Sequence, residues 1–114
     1  MGREVEIREM AELPAEELTS ILRQGAILRL PYLEGRLLQA REQVKRFEEK
    51  YKTTLDSLKS QGLPEDADYE MHEDFIEWEY WDDVLREIEA AVKAVKTLLE
   101  RVEGAIGIHR GEGA

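Results

Sequence analysis

The sequence contains no cysteine and no long hydrophobic run. Without cysteine it can form neither a disulfide framework nor a thiolate metal site. No apolar stretch approaches the ~20 residues of a membrane span, and there is no signal-peptide pattern of a basic segment followed by an apolar one. These absences predict a protein of the prokaryotic cytoplasm that does not enter a membrane.

Basic residues are also scarce. Lys and Arg number 16 against 26 Asp and Glu, so the 114-residue chain has a net charge of −10. Proteins that bind nucleic acid or an anionic membrane surface use basic patches, so this balance argues against both kinds of partner. Because 42% of the residues are hydrophobic, one small folded domain is expected, with a core of limited size.

A catalytic set is missing as well. The three serines are not accompanied by a glycine-rich strand–turn–helix cradle for phosphate. A metal site on helices needs ligands three or four residues apart, and the residues three and four positions after His72 are Phe75 and Ile76. His109 lies in a glycine-rich tail. We therefore predict that the protein is not an enzyme and binds no metal or cofactor.

What the sequence has in abundance is helical periodicity. Apolar residues recur at alternating spacings of three and four in two segments, 32–52 and 69–103, which predicts two long helices with coiled-coil-like seams. The first seam consists of Leu33, Leu37, Ala40, Val44, Phe47 and Tyr51. The second consists of Met71, Asp74, Trp78, Trp81, Leu85, Ile88, Val92, Val95, Leu99, Val102 and Ile106, with Asp74 as its one polar member. Upstream, Pro14 is typical of a helix start, and Pro31 predicts that this helix ends or kinks near Leu30.

These segments predict an all-α fold in which residues 13–104 form an antiparallel hairpin of long helices. Residues 53–68 would connect them through a short helical turn. In residues 1–12, Val5 and Ile7 alternate with polar residues, so we expect a short strand or an arm. Residues 105–114, which are rich in glycine, should form a flexible tail.

Two helices bury little apolar surface. We therefore expect a homodimer that completes a helical bundle. The residues expected to be exposed in one chain and buried in the dimer are Val92, Val95, Leu99, Val102 and Ile106.

Negative charge is concentrated in residues 65–89, here called the acidic segment. It contains twelve acidic residues and one basic residue, Arg86. Six bases in residues 33–52 can neutralise only some of these acids. Because aromatic anchors within a charged rim are typical of tight interfaces, the segment predicts a surface for a basic protein. Trp78 and Trp81 fall on the apolar seam and should be core. The candidate partner-binding residues are Glu70, Glu73, Glu77, Tyr80, Asp83 and Glu87.

Two other interpretations stay open. The chain could be a structural coiled-coil protein that assembles with itself. It could also resemble an all-α, Mg²⁺-dependent nucleotide pyrophosphohydrolase, since Glu70 and Glu73, and also Glu79 and Asp82, have the spacing of paired metal ligands. Both pairs lie on one predicted helix and cannot face each other within one chain. A dimer would be needed to bring two copies of them together.

Two stretches resemble a known group of proteins. These are residues 46–58 (RFEEKYKTTLDSL), with a Phe-Glu-x-x-Tyr motif, and residues 72–79 (HEDFIEWE), an acidic stretch that contains Glu-Trp. The resemblance is to a loose group of small prokaryotic helical-hairpin proteins that are antitoxin-type partners of small toxins, often encoded beside a nuclease. It covers residues 31–85, and Lys52 stands where glycine is common. The resemblance implies a non-catalytic antitoxin of a type II toxin–antitoxin pair, and it carries over no catalytic residue.

Overall fold

A computed structural model describes the backbone of residues 13–111 and the side chains of residues 13–104. Three helices account for most of this range: α1 (Ala15–Tyr51), α2 (Leu55–Gln61) and α3 (Tyr69–Gly111). Between residues 13 and 111 there is no β-strand, so the predicted all-helical fold is confirmed for this part of the chain. The arm or strand predicted for residues 1–12 lies outside the described residues.

Helix α1 passes through Pro31 without ending. It begins directly after Pro14 and has Glu16 and Glu17 in its first turn. Carboxylates at this end of a helix stabilise it, because they interact favourably with the positive end of the helix dipole. The prediction that a helix could end near Leu30 is wrong. A proline inside a helix costs about 3 kcal/mol, which buried apolar residues such as Ala26 and Leu33 on either side of it can offset.

The short helical turn predicted between the long helices is present as α2. Lys52, just after α1, has a φ of 55°, which places it in the left-handed region. Thr54 then caps α2, and its Oγ1 accepts a hydrogen bond of 3.2 Å from the Ser57 backbone N–H. Gly62 ends α2 with a φ of 78°, and its N–H donates to the Leu58 carbonyl at 2.8 Å.

Helix α3 is longer than its periodicity predicted. At its start, Asp68 Oδ1 accepts a 2.9 Å hydrogen bond from the Met71 N–H. It continues to Gly111 rather than stopping at Glu103, so residues 105–111, predicted as part of a tail, are helical. An isolated glycine costs a helix only about 1 kcal/mol and does not oblige it to end. Residues 112–114 lie outside the described range.

The chain divides into two compact units, each of which we describe separately. The central unit is Leu33–Val92. Ion pairs join Arg46 to Glu77 at 3.3 Å and Lys50 to Asp74 at 2.5 Å. Higher numbers on α1 thus match lower numbers on α3, and the helices are antiparallel in this unit, as predicted.

The core of the central unit is aromatic. Phe47 and Trp78 are fully buried, and their rings stack with centroids 5.7 Å apart. The Tyr51 ring also stacks with Trp78, with centroids 6.0 Å apart. Leu55 and Leu58 bring α2 into the same core, against which Met71, Phe75 and Trp81 also pack. The antiparallel hairpin thus brings Phe47 and Tyr51 of α1 into one core with Met71, Phe75 and Trp78 of α3.

The terminal unit comprises the chain up to Tyr32 together with the chain from Lys93 onward. An ion pair joins Arg23 to Glu103 across its two helical segments. Within the single chain, Val102 is buried, with 7% of its surface exposed. Val92 of the central unit is buried too, with 6% exposed. The expectation that one chain leaves these two valines exposed is therefore wrong. The physical reason is that segments of α1 and α3 lie side by side within each unit, as the ion pairs between them show, so the chain itself can cover this side of α3. Val95 and Leu99 are half-buried, and the Ile106 side chain lies outside the described residues.

Candidate protein-binding face

One face of α3 in the central unit carries exposed residues at helical spacing. They follow one another at steps of four, three, four, three and four, so they share a single stripe opposite the Trp78 side of the helix. We call this stripe the outer strip. Its members are Tyr69, Glu73, Ile76, Tyr80, Asp83 and Glu87, all of them exposed. The outer strip therefore combines three large apolar or aromatic groups with three carboxylates.

The three large side chains of the strip are unusually accessible. Tyr69 is 79% exposed, Ile76 is 62% exposed and Tyr80 is 57% exposed. The Tyr80 ring packs edge-on against Trp81, with centroids 5.3 Å apart. Because Trp81 packs against the buried core, this contact restricts Tyr80 from one side and leaves its other side open.

The structure separates the predicted site residues into two groups. Glu70 and Glu77 lie to one side of the strip and pair with bases of α1, at 3.4 Å from Lys50 and 3.3 Å from Arg46. Their charges are partly neutralised within the chain. The remaining four, Glu73, Tyr80, Asp83 and Glu87, belong to the outer strip.

The carboxylates of the outer strip have no such partners. Among residues 13–104, no basic side chain pairs with Glu73, Asp83 or Glu87, and no side-chain hydrogen bond involves them. Uncompensated carboxylates repel one another and attract cationic groups. Within the central unit, the outer strip is therefore where α3 carries exposed carboxylates that no base of the described residues neutralises.

Tyr69 and Ile76 are functional candidates that the sequence analysis missed. Both lie off the apolar seam, seven residues apart and therefore on one face of the helix. That spacing, together with the position of Tyr80 four residues further on, is the signal that could have identified them. Large apolar residues that lie off the seam of a helix are candidates for an interface, because they are not buried in the core of the chain.

Other acids of the acidic segment are engaged in intrachain pairs. Glu79 lies 3.5 Å from Lys59, and Asp82 lies 3.0 Å from Arg86. They are two of the four residues that the pyrophosphohydrolase interpretation required as metal ligands. In the part of the chain whose side chains are described, no group of three or more His, Asp or Glu residues is placed to hold a metal ion.

Asp74, the polar member of the second seam, has a structural role. Its Oδ2 accepts hydrogen bonds from Lys50 Nζ and from the Tyr51 hydroxyl, each at 2.5 Å. The hydrogen bond from Lys50, reinforced by that from Tyr51, lowers the pKa of Asp74. Burial, together with the hydrogen bond to Asp74, raises the pKa of Tyr51, and the hydrogen bond to Asp74 raises the pKa of Lys50. Asp74 thus ties α1 to α3 and is not available to a ligand.

No family model, curated protein or solved structure matches this chain. None of the helices within residues 13–111 has both the length and the apolar composition needed to cross a membrane. The exposed residues of the chain are therefore the guide to its function. Among its exposed surfaces, the outer strip combines large side chains with unpaired carboxylates.

Proposed function

We propose that this chain is a non-catalytic binding module whose outer strip captures a basic partner protein. The observation that carries the proposal is the composition of the strip, in which three unpaired carboxylates share one face with three exposed large side chains. In its most specific form, the proposal is that the chain is the antitoxin of a type II toxin–antitoxin pair and neutralises a basic, nuclease-like toxin. This form rests on the sequence resemblance of residues 31–85.

The strip has the chemical features of an interface. Tyrosines supply large contact area with few rotatable bonds, and charged groups around them set orientation. The same stretch of α3 is held to α1 by the Phe47–Trp78 stack and by the Asp74 hydrogen bonds. A helix fixed in this way loses little conformational entropy on binding, so more of the contact energy appears as affinity.

Neutralisation would be steric and electrostatic. A nuclease holds RNA phosphates in a basic cleft, and a rigid row of carboxylates can occupy that cleft as a polyanion does. Long-range attraction would accelerate association at low salt, since the screening length is about 10 Å at 0.1 M ionic strength. Tyr69, Ile76 and Tyr80 would then supply contacts that salt does not screen.

The remaining parts of the proposal concern the setting. We place the protein in the prokaryotic cytoplasm as a homodimer, without a membrane or nucleic-acid partner of its own. A self-assembling structural coiled coil is the interpretation with which this one competes. The two differ in a measurable way, because in a purely structural module the unpaired carboxylates of the outer strip would only keep the protein soluble, and their reversal would leave partner binding unchanged.

Charge reversal on the outer strip tests the proposal. The variant carries Glu73→Lys, Asp83→Lys and Glu87→Lys, and its partner is the product of the neighbouring gene, co-expressed and then purified. We expect the dissociation constant to rise by roughly tenfold or more at 0.1 M salt, with a slower association rate, because steering is lost. The difference should shrink as salt increases.

The matched control changes the total charge equally at other exposed sites, with Glu16→Lys, Glu42→Lys and Glu100→Lys. Circular dichroism verifies that both variants remain helical. If only the outer-strip variant loses binding, the partner recognises the position of these carboxylates and not the net charge of the protein. If the outer-strip variant binds as tightly as the wild type at every ionic strength, the proposed function is wrong.

A further inference from the structure

The terminal unit carries a second exposed apolar stripe, on α1. Its residues again follow at steps of four, three, four, three and four, so they share one face. We call it the α1 strip. It consists of Pro14, Leu18, Ile21, Gly25, Leu28 and Tyr32. Leu28 is 78% exposed, Tyr32 52% and Ile21 46%. Unlike the outer strip of α3, the α1 strip contains no acid.

An open apolar groove of about 250 Å³ lies beside this strip. Its lining includes Ile21 and Gly25 of α1 and Val95 and Leu98 of α3, with Arg29 as the charged residue among them. Outside the neighbouring backbone of its own helix, a Cβ atom on Gly25 would meet no atom of the described residues within 4 Å. The fold of this chain therefore does not require glycine at that position. The glycine creates a notch in the α1 strip that an incoming side chain can enter.

The α1 strip is complementary to itself when two copies of it run antiparallel. With the two-fold axis near residue 23, each Ile21 lies opposite the Gly25 notch of the other copy. In the same register Leu18 lies opposite Leu28, and Pro14 lies opposite Tyr32. Helices pack with their axes 8–10 Å apart, and the closer approach needs small residues at the contact. The largest projection near the axis thus faces the one position that has no side chain.

Charge favours the same pairing. The described part of the terminal unit, residues 13–32 and 93–104, carries five basic and four acidic residues, whereas the central unit carries eight and seventeen. Two copies that approach through their central units repel each other strongly. Two copies that approach through the nearly neutral terminal unit do not.

We infer that a second copy of this chain binds on the α1 strip, by two-fold antiparallel packing of Ile21 into the Gly25 notch. This inference deepens the homodimer included in the proposed function by naming its surface. That surface is a flank of α1 together with the adjoining groove, and not the α3 seam from which a dimer was predicted. It does not depend on partner capture by the outer strip.

Exchanging the projection and the notch tests the pairing. Gly25→Ile places isoleucine opposite isoleucine, and Ile21→Gly places notch opposite notch. Each single variant should raise the dimer dissociation constant, measured by analytical ultracentrifugation, by about tenfold or more. The double variant restores one isoleucine opposite one glycine at both contacts, and we expect its dissociation constant to return to within a few fold of the wild type.

The double variant has the composition of the wild type on the same helix, so its helix propensity is unchanged apart from position. Circular dichroism and thermal unfolding establish that all four proteins are folded. The inference fails if the wild-type chain is monomeric at its highest soluble concentration. It also fails if either single variant dimerises as tightly as the wild type, or if the folded double variant is no better than the singles. Partner binding is measured separately with the outer-strip variant, so failure of one proposal does not imply failure of the other.

Discussion

The central and terminal units use the same two helices in different ways. The central unit has a core of large aromatic residues, hydrogen-bonded acids and several ion pairs between its helices. The terminal unit buries smaller residues, such as Ala26 and Val102, and leaves apolar side chains and a groove exposed. The comparison indicates that stability is concentrated in the central unit. The surface of the terminal unit is better explained by contacts made outside the single chain.

The largest expected effect is at Trp78. Trp78→Ala removes a fully buried indole that stacks with Phe47 and Tyr51, and we expect a loss of about 3–5 kcal/mol of unfolding free energy. In the terminal unit, Val102→Ala should cost only about 1.5 kcal/mol, because it removes two methyl groups. Urea unfolding of both variants measures the difference. Equal losses would show that the two units contribute equally to stability.

Trp78→Phe separates the aromatic contacts of Trp78 from the effect of its indole N–H. The indole N–H of Trp78 is buried and has no hydrogen-bond partner among the described residues. A buried, unpaired donor costs roughly 1–3 kcal/mol. Phenylalanine keeps most of the aromatic contact and removes this donor, so its cost should be clearly smaller than that of alanine.

The next effect concerns the hydrogen bonds of Asp74. Asp74→Asn retains an acceptor for Tyr51 but loses the charge that Lys50 contacts, and we expect a cost of about 1.5 kcal/mol at neutral pH, since the site is partly exposed to solvent. Glu73→Gln, one residue away on the exposed face, should have almost no effect. An equal loss in both variants, measured by urea unfolding, would contradict the role assigned to Asp74.

The pH dependence of this effect has a definite sign. The pKa of Asp74 is lowered from its usual value of 3.8, so its stabilisation is complete above about pH 4 and declines as pH falls through the folded-state pKa. The pKa of Tyr51 is raised from 10.0. The stabilisation that the protonated Tyr51 hydroxyl contributes is therefore present below about pH 10 and is lost as the pH rises through the folded-state pKa. The difference in unfolding free energy between the wild type and Asp74→Asn, measured by urea unfolding, should therefore become smaller as the pH falls below about 4.

Much of this fold is predictable from periodicity, because burial of an apolar stripe leaves a spacing of three and four in the sequence. The two long helices and the contacts of Phe47 with Trp78 follow from it. The continuity of α1 through Pro31 does not, since it depends on packing against α3, which local propensity does not report. For the site, the spacing places Glu70 and Glu77 beside the apolar seam and Glu73 and Asp83 away from it, but it does not show which bases of α1 come within pairing distance. Only the position of the α1 bases separates paired carboxylates from free ones.

A smaller effect is expected at Lys52, in the central unit. Its φ of 55° is a conformation that costs a residue with a side chain about 1–2 kcal/mol. Lys52→Gly should therefore raise the unfolding free energy by about 1 kcal/mol. Gly62, with a φ of 78°, supplies the reverse control, because Gly62→Ala should destabilise the protein. A lower thermal midpoint for Lys52→Gly would mean that contacts of the lysine side chain outweigh the backbone strain.

The smallest effect is expected at Gly25, where the terminal unit has a glycine that its own chain does not need. Outside the neighbouring backbone of its own helix, a Cβ there meets no atom of the described residues within 4 Å, and alanine is favoured over glycine inside a helix by up to about 1 kcal/mol. At a protein concentration low enough to keep the chain monomeric, Gly25→Ala should therefore raise the midpoint of thermal unfolding. At higher concentration the same methyl group begins to fill the notch that faces Ile21 of a second copy, so the advantage should diminish as dimer forms. A gain that is identical at all concentrations would remove the notch from the dimer interface, and a loss at low concentration would mean that glycine is required by the helix itself.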